Sequence, residues 1–331
     1  IYICFCDILY FINSLLACFT VLIGGLSLEN AEIILNQTLI MLILIIVGII
    51  CKKTKIITDD GNKELSKLVL TVVNPIVILM AYQTDYKPQL VKNLLIAFGL
   101  SILSYIILIV AAYLLIPQKD GRETQIERFS AIYSNCGFMG IPLVNALFGS
   151  EGIFYLTAFL TVFNLVVWTH GIILISGERN LKNIVKVFYS PVIISIVLGI
   201  IMFFAQIRLP DIITDSLNFI SNLNTPLAMI VSGVTIADTK ILKLLKKPGI
   251  YYVSFLKLIL LPLILIAVFS LFNVNEQVRI TVLVAASAPA AAMCTLQCIR
   301  YEKNSLYASE IFAASTILSV VTLPIIVHID N

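Results

Sequence analysis

Charge is what this sequence lacks most. Only 12% of its 331 residues are Asp, Glu, Lys or Arg, where a soluble domain carries roughly 25%. Histidine occurs twice, at 170 and 328, the second almost at the terminus, and tryptophan once. Neither HExxH nor GxSxG is present, so the patterns that place a metal or an activated serine in intramembrane proteases and hydrolases are missing. No CxxC pair joins any of the seven cysteines, at 4, 6, 18, 51, 136, 294 and 298. Most of them sit inside apolar runs and read as small packing residues, Cys294 and Cys298 on one helix face included. An enzyme is not expected, and neither a metal nor any other cofactor. The net charge of +3 does not point to nucleic acid, because the placement of charges matters more than their sum.

What fills the chain instead is apolar sequence, 60% hydrophobic with a mean hydropathy of +1.02. That composition over the whole length describes a polytopic membrane protein, with the lipid bilayer as its first partner. A bilayer needs about 20 apolar residues per helix. Cutting at charged and turn-forming clusters gives ten segments: 33–51, 64–82, 91–116, 126–149, 152–176, 184–206, 216–237, 249–272, 278–300 and 305–328. The second, fourth, seventh and ninth are weakened by Asn, Ser, Thr, Gly and Pro. Seventeen of the 22 basic residues fall in the odd-numbered loops and four, Lys87, Lys92, Arg208 and Arg279, in the even-numbered ones. The positive-inside rule then puts both ends of the ten-span unit outside. Residues 1–29 are apolar without a basic leader and make a poor signal peptide. They read as an N-terminal extension, with an eleventh helix as the alternative.

The interruptions recur at nearly one offset. Asn74-Pro75 matches Thr225-Pro226, Pro142 matches Pro289, and Thr169-His170-Gly171 matches Thr322-Leu323-Pro324, at offsets of 151, 147 and 153. Two five-span halves follow, and an odd span count gives them opposite orientation, the inverted-repeat plan of secondary transporters. Proline inside a helix removes one backbone bond and strands the carbonyl four residues back, here that of Phe138 or Ala285. Broken backbone at bilayer depth is tolerated only where protein or a water-lined cavity satisfies it. Paired breaks at matching positions therefore point to a substrate site, and the half-helix N-termini there suit an anionic group.

The stretch "NCGFMGIPL" at 135–143 resembles the asparagine-to-GIP motif in the fourth helix of auxin efflux carriers and their bacterial relatives. Asn74-Pro75, Pro289 and the "TLP" at 322–324 resemble the same family, so the likeness covers about 33–328. The resemblance implies an all-α fold shared with bile-acid/sodium symporters, in which helices 4 and 9 cross at Pro142 and Pro289. It implies scaffold helices at 33–82 and 184–237, moving transport helices at 91–176 and 249–328, and an elevator-like motion carrying small organic anions. A homodimer is compatible with it. Two departures matter: the loop at 177–183 is very short, and span 9 reads "APAAAMCTLQ" where plant members carry more polar residues. Auxin itself is thus not implied as the substrate, and the match is closer to the bacterial permease branch. The prevalence of Ile, Lys and Asn suggests an AT-rich bacterial genome and an inner-membrane, plasma-membrane location.

Candidate site residues follow. Asn135 lies seven residues before Pro142 on the same side of a helix, where its amide can donate to a carboxylate or simply satisfy a broken-helix carbonyl. Gly137 and Gly140 permit close crossing and free amides near the break. Asn74, Pro75, Asn224, Thr225 and Pro226 line the scaffold side or serve as hinges. Lys257 sits eight residues past Gly249, about 12 Å deep at 1.5 Å per residue. An ionisable residue inside a span is a functional hypothesis, here a cation attracting the substrate, with snorkelling to the interface as the alternative. Glu310 reads as an interfacial carboxylate, with ion pairing to Lys257 or proton carriage as the functional alternative. His170 reads as a packing residue before a proton relay. Gln297, Cys294, Ser287 and Asn164 complete the set. Sodium coupling ranks lower, because the crossover segments contain no Asp or Glu to gather a sodium ion.

Overall fold

The computed structural model describes residues 29–119, 121–177, 189–237 and 247–330. Among them every regular element is helical, and the one bridge-type pairing is isolated. The bulk of the N-terminal extension (1–28), five residues of the expected sixth span (184–188) and the loop bases Arg179, Lys182, Lys186, Lys240, Lys243 and Lys246 lie outside the described residues.

In chain order the helices are α1 (Glu29–Lys53), α2 (Asp59–Leu68), α3 (Asn74–Ala81), α4 (Pro88–Leu115), α5 (Thr124–Ile132), α6 (Ile141–Val166), α7 (Ile172–Ser176) and α8 (Pro191–Ala205). Then come α9 (Asp211–Ser221), α10 (Asn224–Ala237), α11 (Pro248–Phe255), α12 (Leu261–Phe269), α13 (Glu276–Ser287), α14 (Met293–Arg300) and α15 (Ser305–Asp330). Each of the ten expected segments overlies one or two of these. Among the described residues seven continuous helical runs are long and apolar enough to cross a bilayer: Asn30–Lys53, Asp59–Ala81, Pro88–Leu115, Cys136–Ser176, Asp211–Ala237, Pro248–Phe269 and Ser305–Asp330. The Cys136–Ser176 run takes in the end of the fourth expected segment and all of the fifth, turning at Gly149 (φ 57°) between them.

Proline shapes these runs in one repeated way. Five-residue π turns occupy Val69–Val73, Cys136–Gly140 and Leu256–Leu260, and each is followed by a helix with proline at its second position, Pro75, Pro142 and Pro262. At each junction the N–H of Asn74, Ile141 or Leu261 reaches back five residues, to the carbonyl of Val69, Cys136 or Leu256. Proline cannot donate, and its ring collides with the carbonyl four residues back. Widening the preceding turn moves that carbonyl away from the ring without ending the helix. The expectation that the fourth span breaks at Pro142 is corrected accordingly: the chain leaves helical geometry at Tyr133–Asn135, and Pro142 lies within the first turn of α6.

The core sits on α6, α13 and α15, whose side chains are buried along most of their lengths. α13 packs on α6, α4 packs on α6, and α14 folds back on α15. On the other side, α10 lies against α1 and α8 against α3. The α1–α10 crossing is backbone on backbone. A Cβ added at Gly233 would stand 2.0 Å from the Ile45 carbonyl oxygen, and one at Gly48 would stand 2.2 Å from that of Ile230. Small residues that let backbones meet are the means by which helices associate where lipid removes the hydrophobic drive. Large apolar side chains such as Leu95, Ile102, Ile106 and Val110 on α4 face outward, as a lipid-facing surface requires.

Candidate functional site

Two interrupted segments meet at the centre of the buried half. α5 ends at Ile132 and the chain is extended through Tyr133 (φ −92°, ψ 122°) before helix resumes; α13 ends at Ser287 and is extended at Ala288 (φ −54°, ψ 150°). The extended stretches pair antiparallel, Ser134 against Ala290. Asn135 N–H donates to the Pro289 carbonyl at 2.7 Å, and Ala291 N–H donates to the Tyr133 carbonyl at 3.0 Å. Ala290 N–H goes to Ser315 Oγ of α15 at 3.1 Å. Each break thus supplies the backbone partners the other has lost, which is how unwound backbone persists away from water. Pro289 suits its place because it has no N–H to satisfy there.

Four half-helix ends converge on this crossing. The N-terminal ends are those of the Cys136–Val166 run and of α14. The C-terminal ends are those of α5 and α13. Asn135 lies at the first break, 7% exposed, and its Nδ2 is buried with no hydrogen-bond partner. It opens on a cavity of about 390 Å³ whose wall includes Asn74, Ser134, Gly137, Phe138, Ile141, Asn164, Trp168 and Thr295. Most of that wall is apolar; the polar atoms cluster at the break and along Asn62, Ser66, Ser232 and Thr235.

A second cavity, about 410 Å³, lies at the other end of the α2–α3 run and is lined by Gln83, Pro142, Asn145, Ser150, Asn218, Asn224 and Thr225 among others. Ile141 belongs to both walls. Between the cavities Asn224 Nδ2 donates to Asn74 Oδ1 at 2.5 Å, and Asn74 Nδ2 donates to the Gly137 carbonyl at 3.3 Å. Asn74 and Asn224 are the first residues of α3 and α10, each one place before or near a proline. The repeat paired Asn74 with Thr225; the contact is made by the residue before, Asn224.

The remaining expected residues divide. At Gly140 an added Cβ would stand 3.3 Å from Cys136 Cβ in the preceding turn and at an ordinary contact distance, 3.8 Å, from the Ala285 Cα, so the approach of α13 does not depend on the missing side chain. Gly137 has room, with Asn74 Nδ2 at 3.5 Å, and contributes its carbonyl rather than its lack of a side chain. Pro142 and Thr225 line the second cavity, while Pro75 accompanies the π turn before α3. Gln297 is buried with its Oε1 unpartnered, yet neither cavity includes it. Asn164 lines the first cavity while donating to the Leu160 carbonyl.

Lys257 does not snorkel: it is 1% exposed, and its Nζ donates to the carbonyls of Ile132 (3.4 Å) and Ala286 (3.2 Å). Glu310 is not its partner. That carboxylate is paired with Lys247 at 2.5 Å, because the start of α11, which follows Lys247, packs beside α15. His170 is held between two tyrosines, Nδ1 2.8 Å from Tyr133 Oη and Nε2 3.3 Å from Tyr113 Oη. Tyr133 Oη is also within hydrogen-bond distance of the Val166 carbonyl, at 3.1 Å. This imidazole anchors Tyr133 beside the break and reaches neither cavity.

Two features were not anticipated. Thr295, whose Oγ1 is buried and unpartnered, lines the first cavity from α14; its place two residues before Gln297 was the available signal. The second is a buried ionic cluster behind the crossing. Glu127 of α5 pairs with Arg122 and accepts from Tyr307 Oη at 2.8 Å, tying α5 to α15.

The profile of a family described as membrane transport protein matches residues 33–327. An uncharacterized transporter of Methanocaldococcus jannaschii is 26% identical over 296 residues, covering 85% of this chain and 94% of that protein. One from Methanothermobacter thermautotrophicus is 26% identical over 297 residues, covering 88% and 96%. The uncharacterized transporter YfdV of Escherichia coli is 20% identical over 314 residues, covering 90% and 98%. With paired broken helices enclosed by apolar spans and a match along nearly its whole length, the chain is a membrane transporter and belongs to the membrane transport protein family of the auxin efflux carriers.

Proposed function

We propose that the protein is a secondary permease for small organic anions, holding a carboxylate at Asn135 and at the half-helix N-termini beside it. The observation that carries this reading is that Asn135, whose Nδ2 is buried and unpartnered, is part of the wall of the cavity of about 390 Å³. A buried amide donor left unpaired costs about 1–3 kcal/mol, a cost that a bound acceptor removes. Cavities of 300–1,000 Å³ hold small ligands. Helix N-termini carry about half a positive charge each, which favours an anion over a neutral isostere.

Two cavities separated by Ile141 and the Asn74–Asn224 contact support an alternating-access reading. In this reading ten spans form two inverted halves with both ends outside. Helices at 33–82 and 184–237 are the scaffold; those at 91–176 and 249–328 move as an elevator carrying the crossing past Asn74, in the plasma membrane of a bacterium. The test is transport current in liposomes holding residues 30–331, over malonate, malate, indole-3-acetate and aliphatic acids, with and without pH and sodium gradients. The expected result is a current for one acid that Asn135→Ala abolishes while the protein stays folded. No current with any acid, together with loss of folding in Asn135→Ala, would make the asparagine structural and overturn the anion reading.

A further inference from the structure

Lys257 raises a question that anion binding does not answer. A buried ammonium is ordinarily matched by a carboxylate, yet among the described residues no Asp or Glu forms an ion pair with it, and both of its bonds go to backbone carbonyls. Those carbonyls belong to Ile132, the last residue of α5, and Ala286, the last but one of α13. The final four carbonyls of a helix have no intrahelical partner. The usual remedy, a left-handed residue folding its N–H back over them, is absent from both ends, since Tyr133 and Ala288 are extended. Each C-terminus carries roughly −0.5 of an elementary charge, so two of them amount to about one negative charge with no acidic side chain involved. One monovalent cation balances it. The π turn Leu256–Leu260 carries Lys257 into that position.

We propose that the crossing contains a cradle for one monovalent cation, formed by the C-terminal carbonyls of α5 and α13, and that Lys257 fills it as a tethered ammonium. The protein thereby supplies its own cation. The two broken helices are bound into one unit by it, and the tethered ammonium stands behind the Asn135 site, so that no dissolved cation is needed there. The cradle follows from the carbonyl geometry alone; its effect on anion affinity rests on the anion-permease reading.

The experiment uses the full chain, purified in detergent and reconstituted, in buffers where sodium, potassium or choline is the sole inorganic or organic cation. Wild type is expected to melt at the same temperature in all three and to carry its anion at the same rate. Lys257→Ala empties the cradle; its melting temperature should fall and then rise saturably with added methylammonium, while wild type does not respond. Lys257→Met fills the volume without charge, so it should fold, ignore methylammonium and show a KM for the anion raised about tenfold or more, as expected for losing a unit charge within about 10 Å in partly buried surroundings. A folded Lys257→Ala that no small cation stabilises overturns the cradle, as does a wild type whose melting or flux depends on sodium. Should Lys257→Ala not fold, an unchanged KM in Lys257→Met overturns the tethered charge. Methylammonium rescue of Lys257→Ala melting in a protein that carries no acid leaves the cradle standing and removes the anion reading; the opposite pair of results does the reverse.

Discussion

A double-mutant cycle on Asn74 and Asn224 asks whether the wall between the cavities is held by one hydrogen bond or by the packing around it. Both side chains are nearly inaccessible, at 2% and 3% exposure, and Asn224 Nδ2 lies 2.5 Å from Asn74 Oδ1. Asn224→Ala leaves Asn74 Oδ1 buried without a donor, which costs about 1–3 kcal/mol. Asn74→Ala leaves Asn224 Nδ2 in the same condition and also removes the donor to the Gly137 carbonyl, so it should cost more. The double variant strands neither amide. Its cost should therefore fall below the sum of the singles by about 1–2 kcal/mol, within the range of coupling seen for contacting residues. The assay is thermal melting of the purified protein in detergent, where about 1 kcal/mol moves the midpoint by about 2–4 °C in chains of a few hundred residues. Additivity to within about 0.5 kcal/mol would refute the reasoning and assign the wall to packing by Ile141 and its neighbours.

Gly233→Ala places a methyl 2.0 Å from the Ile45 carbonyl oxygen; α1 and α10 must part, and we expect a loss of about 2–4 kcal/mol, at or above the usual range for overpacking, read as a lower melting temperature that Gly99→Ala, with open space around it, does not share. Glu127→Ala leaves Tyr307 Oη without its buried acceptor and Arg122 without its partner, and should cost about 3–5 kcal/mol as for other broken buried pairs; Glu127→Gln, which keeps the acceptor, should recover part of it in the same melting assay. Asn135→Leu should leave melting nearly unchanged, because the Nδ2 it removes bonds to nothing, while anion affinity falls about tenfold to a hundredfold through loss of a donor to a charged group; a large melting change with unaltered affinity would contradict the assignment.

Some of this architecture was legible because the signals were local. Apolar sequence marked the helical runs, seven of which are long enough to cross a bilayer among the described residues; the Asn135–Pro142 stretch marked the neighbourhood of one break and Pro289 the other. The exact site of the first break was not legible. Proline disfavours a helix interior in general, but the sequence does not say whether the turn before it will widen. At Pro75, Pro142 and Pro262 it does, so the helix continues and the true break falls at Tyr133–Asn135, where the partner strand around Pro289 supplies the hydrogen bonds. That is a tertiary event and leaves no local trace.

The charges show the same limit more sharply. Lys257 and Glu310 are two opposite charges inside apolar helices, and a pair between them is one reading that the sequence leaves open beside an interfacial Glu310. The structure pairs Glu310 with Lys247 and gives Lys257 to two backbone carbonyls. Backbone acceptors carry no sequence signature, because every residue but the capped ones presents the same carbonyl. Only the fold decides which helix ends go unsatisfied and whether two of them face one point. A lysine in an apolar span therefore identifies a charge that must be balanced. Whether a side chain or a helix end balances it becomes visible only when the broken helices are seen to cross, and here that crossing sets the positive charge on one side of the break and leaves the unpartnered amide of Asn135 at the break itself.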